Sequence, residues 1–127
     1  MGYLAIVDRG YRGSLEAQFF DALYGVRMFA AQLGGIDLLL RGTSVTAALR
    51  PTGDVPQVTL GSEPVALSAD PRSAISGLTG NGATVYVDAG SLADLGLGPE
   101  AVLPGCAVLD TTELAVRWAG YEQVWFL

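Results

Sequence analysis

Three observations on this sequence predict an α/β fold, with a mainly parallel five-stranded sheet and helices on both faces. Short apolar runs alternate with segments of helical spacing from one end of the chain to the other. Several of those runs are apolar on consecutive residues, the pattern of strands buried on both sides. Glycine, proline or aspartate stands at most junctions between runs and helical segments. The length, 127 residues, suits one domain over 1–127 with its own core and is too short for two.

Leu4 to Val7 is the first strand, broken by the turn Asp8-Arg9-Gly10-Tyr11-Arg12-Gly13. Ser14 is placed to cap a long helix whose apolar stripe runs through Leu15, Phe19, Leu23, Val26, Ala30 and Leu33, with Gly34-Gly35 as its stop. Ile36 to Leu40 is the second strand. Gly42 ends it, and Thr43-Ser44 open a brief helical turn through Leu49. Residues 50–69, punctuated by Pro51, Gly53, Pro56, Gly61 and Pro64, read as a loop or hairpin excursion within the domain. Gln57–Leu60 and Val65–Leu67 are either arms of a small hairpin or parts of an exposed loop.

Asp70-Pro71 is a strong helix start, and Gly80-Asn81-Gly82 ends that helix. The third strand is Thr84 to Val87, followed by the turn Asp88-Ala89-Gly90. Ser91 and Asp94 have the spacing of a capping box for a short helix ending near Gly96. Cys106 to Leu109 is the fourth strand, Asp110 caps a helix through Ala119, and Gln123 to Leu127 is the fifth strand. This succession suggests the flavodoxin-like order 2-1-3-4-5, in which the first and third strands flank the ligand crevice.

Composition removes many functions. The net charge is −6 with no basic cluster, so nucleic acid is not expected as a partner. Half of the residues are hydrophobic and the mean hydropathy is +0.39, yet no apolar run approaches the ~18 residues of a membrane helix. No basic-then-apolar leader precedes the first strand, which predicts a cytoplasmic protein away from the membrane. Histidine is absent, and all seven basic residues are arginine. Schiff-base chemistry, a lysine-bearing phosphate loop and a Ser–His triad at Ser91 are thereby excluded. A single cysteine, Cys106, allows neither an internal disulfide nor a zinc cluster; its plain reading is a small buried hydrophobe. No cofactor is implied.

Two loops hold the candidate ligand-binding residues. Arg9, Gly10, Tyr11, Arg12, Gly13 and Ser14 combine cations with N–H groups at a helix start, the parts of an anion site that Arg41 would complete. Asp8 and Asp88, with Ser91, face each other across the predicted crevice, where paired carboxylates would hold a hard cation or divide acid and base roles. The plainer alternative is an ordinary glycine turn with solvated arginines, Asp8 paired with an arginine and Asp88 capping the next turn. Trp118, Tyr121, Trp125 and Phe126 crowd the end of the chain, as core or as an oligomer interface.

Several segments match a known pattern in order and spacing. They are Tyr11-Arg12-Gly13-Ser14-Leu15-Glu16-Ala17, then Leu38 to Val45 with Ala47-Ala48-Leu49, then Val85-Tyr86-Val87-Asp88 with Ser91-Leu92 and Leu95-Gly96-Leu97, and finally Val124-Trp125-Phe126. Together they resemble the DsrE/DsrF/DsrH (Tus) family of small sulfur-relay proteins over most of the chain outside about 50–70. The resemblance implies a DsrE-like α/β domain. In active members a cysteine at the junction of the third strand and the next helix carries a persulfide, its thiolate favoured by the helix N-terminus. Asp88 occupies the matching position here, and a carboxylate cannot carry sulfane sulfur. The expectation is a divergent, non-catalytic member with no catalytic residues of its own. It would act through a homo-oligomer or through contacts with related sulfur-relay subunits. A different class of function, a small-molecule or anion-binding module using the loops after the first and third strands, stands beside it. An enzyme with Asp88 as general base comes third, for want of any His or Lys.

Overall fold

The structure, a computed structural model, describes residues 2–10, 22–51, 57–66 and 71–127. The elements run β1 (Tyr3–Val7), α1 (Ala22–Leu33), β2 (Asp37–Leu40), a 3-10 segment (Gly42–Ala48), β3 (Gln57–Leu60), β4 (Glu63–Ala66) and α2 (Pro71–Gly80). They continue with β5 (Val85–Asp88), α3 (Ala89–Asp94), a 3-10 turn (Pro99–Ala101), β6 (Ala107–Leu109), α4 (Thr111–Trp118) and β7 (Gln123–Phe126). The main sheet is five-stranded in the order β6-β5-β2-β1-β7. Every pairing in it is parallel. The α/β fold class expected from the sequence is the one found.

The strand order departs from expectation. Numbering only the strands of the main sheet, it is 4-3-2-1-5 and not 2-1-3-4-5. β2, not β1, stands beside β5, so Asp8 and Asp88 do not face one another across a shared crevice. Two strand spacings, about 10 Å, part the ends of β1 and β5. The physical reason lies in burial. β2 carries Leu38-Leu39-Leu40, each 1 % exposed or less, and a strand so wholly apolar belongs inside the sheet. β6 and β7 are only half-buried or exposed and form the edges.

Strand periodicity sorts the core into two layers. Ala5 and Val7 of β1 face one layer with Leu38, Leu40, Val85 and Val87, where Leu23 and Val26 of α1 and Ala74, Ile75 and Leu78 of α2 pack on them. Leu4 and Ile6 face the other with Leu39 and Tyr86, where α4 contributes Leu114. The first layer also receives Val45, Ala48, Leu92 and Val102. Right-handed crossovers account for the division: the chain steps from β1 through β2 and β5 to β6 in one direction, then returns past β1 to β7 over the opposite face.

Local details follow from single residues. α1 stops at Gly34, whose φ of 78° suits glycine. Asp110 caps α4 by accepting from the Glu113 N–H at 2.8 Å. Asp88, not Ser91, caps α3, so the helix begins earlier than the Ser91–Asp94 spacing suggested. Residues 57–66 form an antiparallel hairpin outside the main sheet, with Leu60 and Val65 exposed. The aromatic residues near the chain end divide. Trp118 and Tyr121 pack on the α4 layer, Trp125 stacks with Tyr3 and Phe29 on the other, and Phe126 is largely exposed.

Candidate functional site

The carboxyl ends of β1, β2, β5 and β6 bring together Asp8, Arg9, Gly10, Arg41, Asp88 and Ser91 among the sequence candidates. Tyr11, Arg12, Gly13 and Ser14, together with the start of the long helix, lie outside the described residues. Asp70, the expected cap of α2, lies outside them too.

Asp88 ends β5 and is 7 % exposed. Its Oδ2 accepts from the Ser91 hydroxyl at 2.6 Å and from the Ser91 N–H at 3.1 Å; its Oδ1 accepts from the Thr111 hydroxyl at 2.7 Å. Burial alone would push this carboxyl up. The hydrogen bonds from Ser91, Thr111 and the Gly90 amide outweigh it and hold the carboxyl below its ordinary value. Asp88 is therefore a carboxylate at neutral pH with both oxygens engaged. A general base needs the opposite, a raised pKa and an open lone pair. Ser91 extends the network: its oxygen accepts the Gly42 N–H at 2.8 Å. One carboxylate thus ties the ends of β2, β5 and β6 together.

Asp8 and Arg41 form the second half of this edge. Arg41 Nε donates to Asp8 Oδ1, and its Nη2 lies 3.3 Å from Oδ2, a two-pronged ion pair. The guanidinium also lies over the Trp118 ring, 5.1 Å from its centroid, and 5.3 Å from that of Phe126. The Asp8 hydrogen bond raises the Arg41 pKa; partial burial works against this, while the charges of Asp8 and Asp88 reinforce it. Arg41, following β2, stands between the two acids. A cation in that position opposes their use as a shared hard-metal site.

Glycines in these turns answer close approaches within the chain. A Cβ on Gly10 would come 2.7 Å from the Thr43 carbonyl oxygen, and one on Gly42 would come 2.4 Å from that of Asp8. Gly42 also has a φ of +59°. The Gly10 N–H, a candidate anion donor, bonds the Thr43 hydroxyl at 2.8 Å. The cavity bordered by Val7, Arg9, Gly10 and Ser44 is about 10 Å³, near the space of one water. Thr111 completes this edge although the sequence reading did not single it out, while Thr43, expected only to open a helical turn, and Trp118, expected only as core or interface, join it as well. The signal for Thr111 was its place just after a strand that pairs with β5.

Cys106 lies elsewhere. It precedes β6 at the amino edge of the sheet, while Leu109 at the far end of that strand is the partner of Asp88. Its side chain packs half-buried on the core, and burial pushes the thiol up, away from a reactive thiolate. Among the described residues there is no group of three or more His, Cys, Asp or Glu suited to a metal ion. No described helix is long and apolar enough to cross a membrane.

No family model and no curated protein matches the sequence. Solved structures do. The chain is similar to the YchN protein from E. coli at a TM-score of 0.73 and 20 % identity, all of both chains being covered. It is also similar to MTH1491, a protein of unknown function from Methanobacterium thermoautotrophicum, at a TM-score of 0.58 and 16 % identity over 95 % of this chain and 96 % of that one. At such identities the likeness is one of fold, and the fold is the DsrE-like α/β domain.

Proposed function

We propose that this chain is a divergent, non-catalytic protein of the DsrE-like sulfur-relay type that works through contacts with copies of itself or with related subunits. The observation that carries this reading is Asp88. Where the family resemblance calls for a sulfur-carrying cysteine, the chain has a carboxylate with both oxygens occupied by Ser91 and Thr111. The one thiol sits at the other end of the sheet with a raised pKa. Exposed apolar residues on α4 and at the chain end support the contact role: Val116 is 72 % and Phe126 58 % exposed.

The alternative of an anion-binding module draws less support, since the Gly10 N–H and the Arg41 fork are both engaged within the chain. Persulfide trapping after treatment with a sulfane-sulfur donor tests the proposal. No sulfur transferable to an acceptor thiol is expected on the protein. Labelled Cys106 that passes its sulfur on would overturn the non-catalytic reading. Sedimentation addresses the contact role: self-association at micromolar concentration is expected, and a monomer that also ignores sulfur-relay subunits would refute it.

A further inference from the structure

A cleft of about 460 Å³ opens between α1 and α2, at the amino edge of the sheet and away from Asp88. That volume is in the range of small-molecule sites. Ala30, Ala31, Leu78, Ala83 and Met28 give it an apolar wall, and Arg27 and Asn81 supply side-chain polar groups.

Arg27 is unusual within this chain. Acidic residues outnumber basic ones 13 to 7, so partners for an arginine are plentiful. Arg41 pairs with Asp8, Arg50 and Arg72 donate to backbone carbonyls, Arg117 lies over Tyr86, and Arg9 is also engaged. Arg27 alone among the described arginines has no side-chain hydrogen bond, ion pair or ring contact, and it lines this cleft. Its guanidinium rests on α2 at Gly77, where a Cβ would come within 3.1 Å of its Nε and Cζ. A larger residue there would lift the head group off the helix, so Gly77 gives the cation its seat.

Electrostatics narrow the ligand. Gly34-Gly35 directly follow α1 and Asn81 directly follows α2, so both helices point their carboxyl ends at this cleft. Those ends carry partial negative charge, which penalises a phosphate dianion more than a monoanion. A carboxylate matches the planar guanidinium fork with one negative charge. We infer that the cleft between α1 and α2 binds a small, singly charged carboxylate with an apolar body, held by Arg27.

Octanoate, titrated into the ¹⁵N-labelled full chain, is the probe, with octanol and octyl phosphate as comparisons. Saturable amide shifts at Tyr24, Met28, Ala31 and Asn81 are expected with octanoate, and weaker binding of both comparison ligands. Arg27→Gln should weaken octanoate about tenfold or more. Gly77→Ala, which favours the helix and so leaves folding intact, should also weaken it by displacing the guanidinium. Circular dichroism checks that both variants fold. Absence of saturable shifts, unchanged affinity in Arg27→Gln, or tighter binding of octyl phosphate would each overturn the inference.

Discussion

The two ends of the sheet are built on opposite principles. At the carboxyl edge, where α/β proteins usually place their ligands, each charged group singled out above is answered within the chain: Asp88 by Ser91 and Thr111, Asp8 by Arg41, Arg41 also by Trp118 and Phe126. At the amino edge, Arg27 stands without a counter-charge beside open volume. Tyr121 and Asp37 are tightly joined nearby. The lesson is that polar density alone does not mark a site. A saturated network behaves as a staple between strands, whereas an unmatched charge beside a cavity has binding capacity left over.

Asp88→Ala should produce the largest effect. It removes the cap of α3 and leaves the Ser91 and Thr111 donors without an acceptor, a loss of about 2–4 kcal/mol in urea unfolding. A change under about 0.5 kcal/mol would break the staple reading. Tyr121→Phe comes next, because the Tyr121 hydroxyl bonds Asp37 Oδ2 at 2.5 Å and lies 3.2 Å from the Tyr86 hydroxyl. A loss of about 1–2 kcal/mol is expected, and the same experiment checks it. Burial and the bonds to Asp37 and Tyr86 push the Tyr121 phenol well up, so it should stay protonated through an alkaline ultraviolet titration of the folded protein. Asp8→Asn should cost about 0–1 kcal/mol and less at high salt, because the pair is half open to solvent. Gly77→Ala should move stability least, by under about 1 kcal/mol, while changing octanoate affinity. Such a variant separates a binding edge from a structural one.

The pH dependence sharpens the contrast. Asp88 titrates below its ordinary value in the folded protein, so its stabilising contribution is complete above the unfolded carboxyl pKa of about 3.9 and is lost as pH falls through the lower folded value. The stability gap between wild type and Asp88→Asn, measured by urea unfolding, should be constant above about pH 5 and shrink in acid.

Much of the fold was legible because burial and capping leave local marks. The consecutive apolar residues of Leu4–Val7 and Leu38–Leu40 announce strands covered on both faces, and Asp110 with Glu113 in the first turn announces α4. Strand order was harder, since alternation of strands and helices fixes crossover handedness without saying on which side the next strand is added. The discriminating mark was present in Leu38-Leu39-Leu40, too apolar for an edge strand, against Gln123 in β7. The wrong neighbour then carried over into the site: with β1 placed beside the third strand, Asp8 and Asp88 looked like a pair. Arg27 escaped notice for a different reason. Nothing in its neighbouring residues distinguishes it from a solvated helix arginine; its seat is a glycine fifty positions further on.

The claim most open to direct measurement is that Asp88 is a fixed, ionised acceptor at the position where the family resemblance calls for a sulfur-carrying thiol. A ¹³C NMR titration of its side-chain carboxyl, assigned through Asp88→Asn, reads this in the intact protein. Titration below the ordinary aspartate range, with the Ser91 and Thr111 hydroxyl bonds persisting to acid pH, is the predicted result. A carboxyl that titrates above that range would contradict it, because such a group would be under-bonded and free to exchange protons.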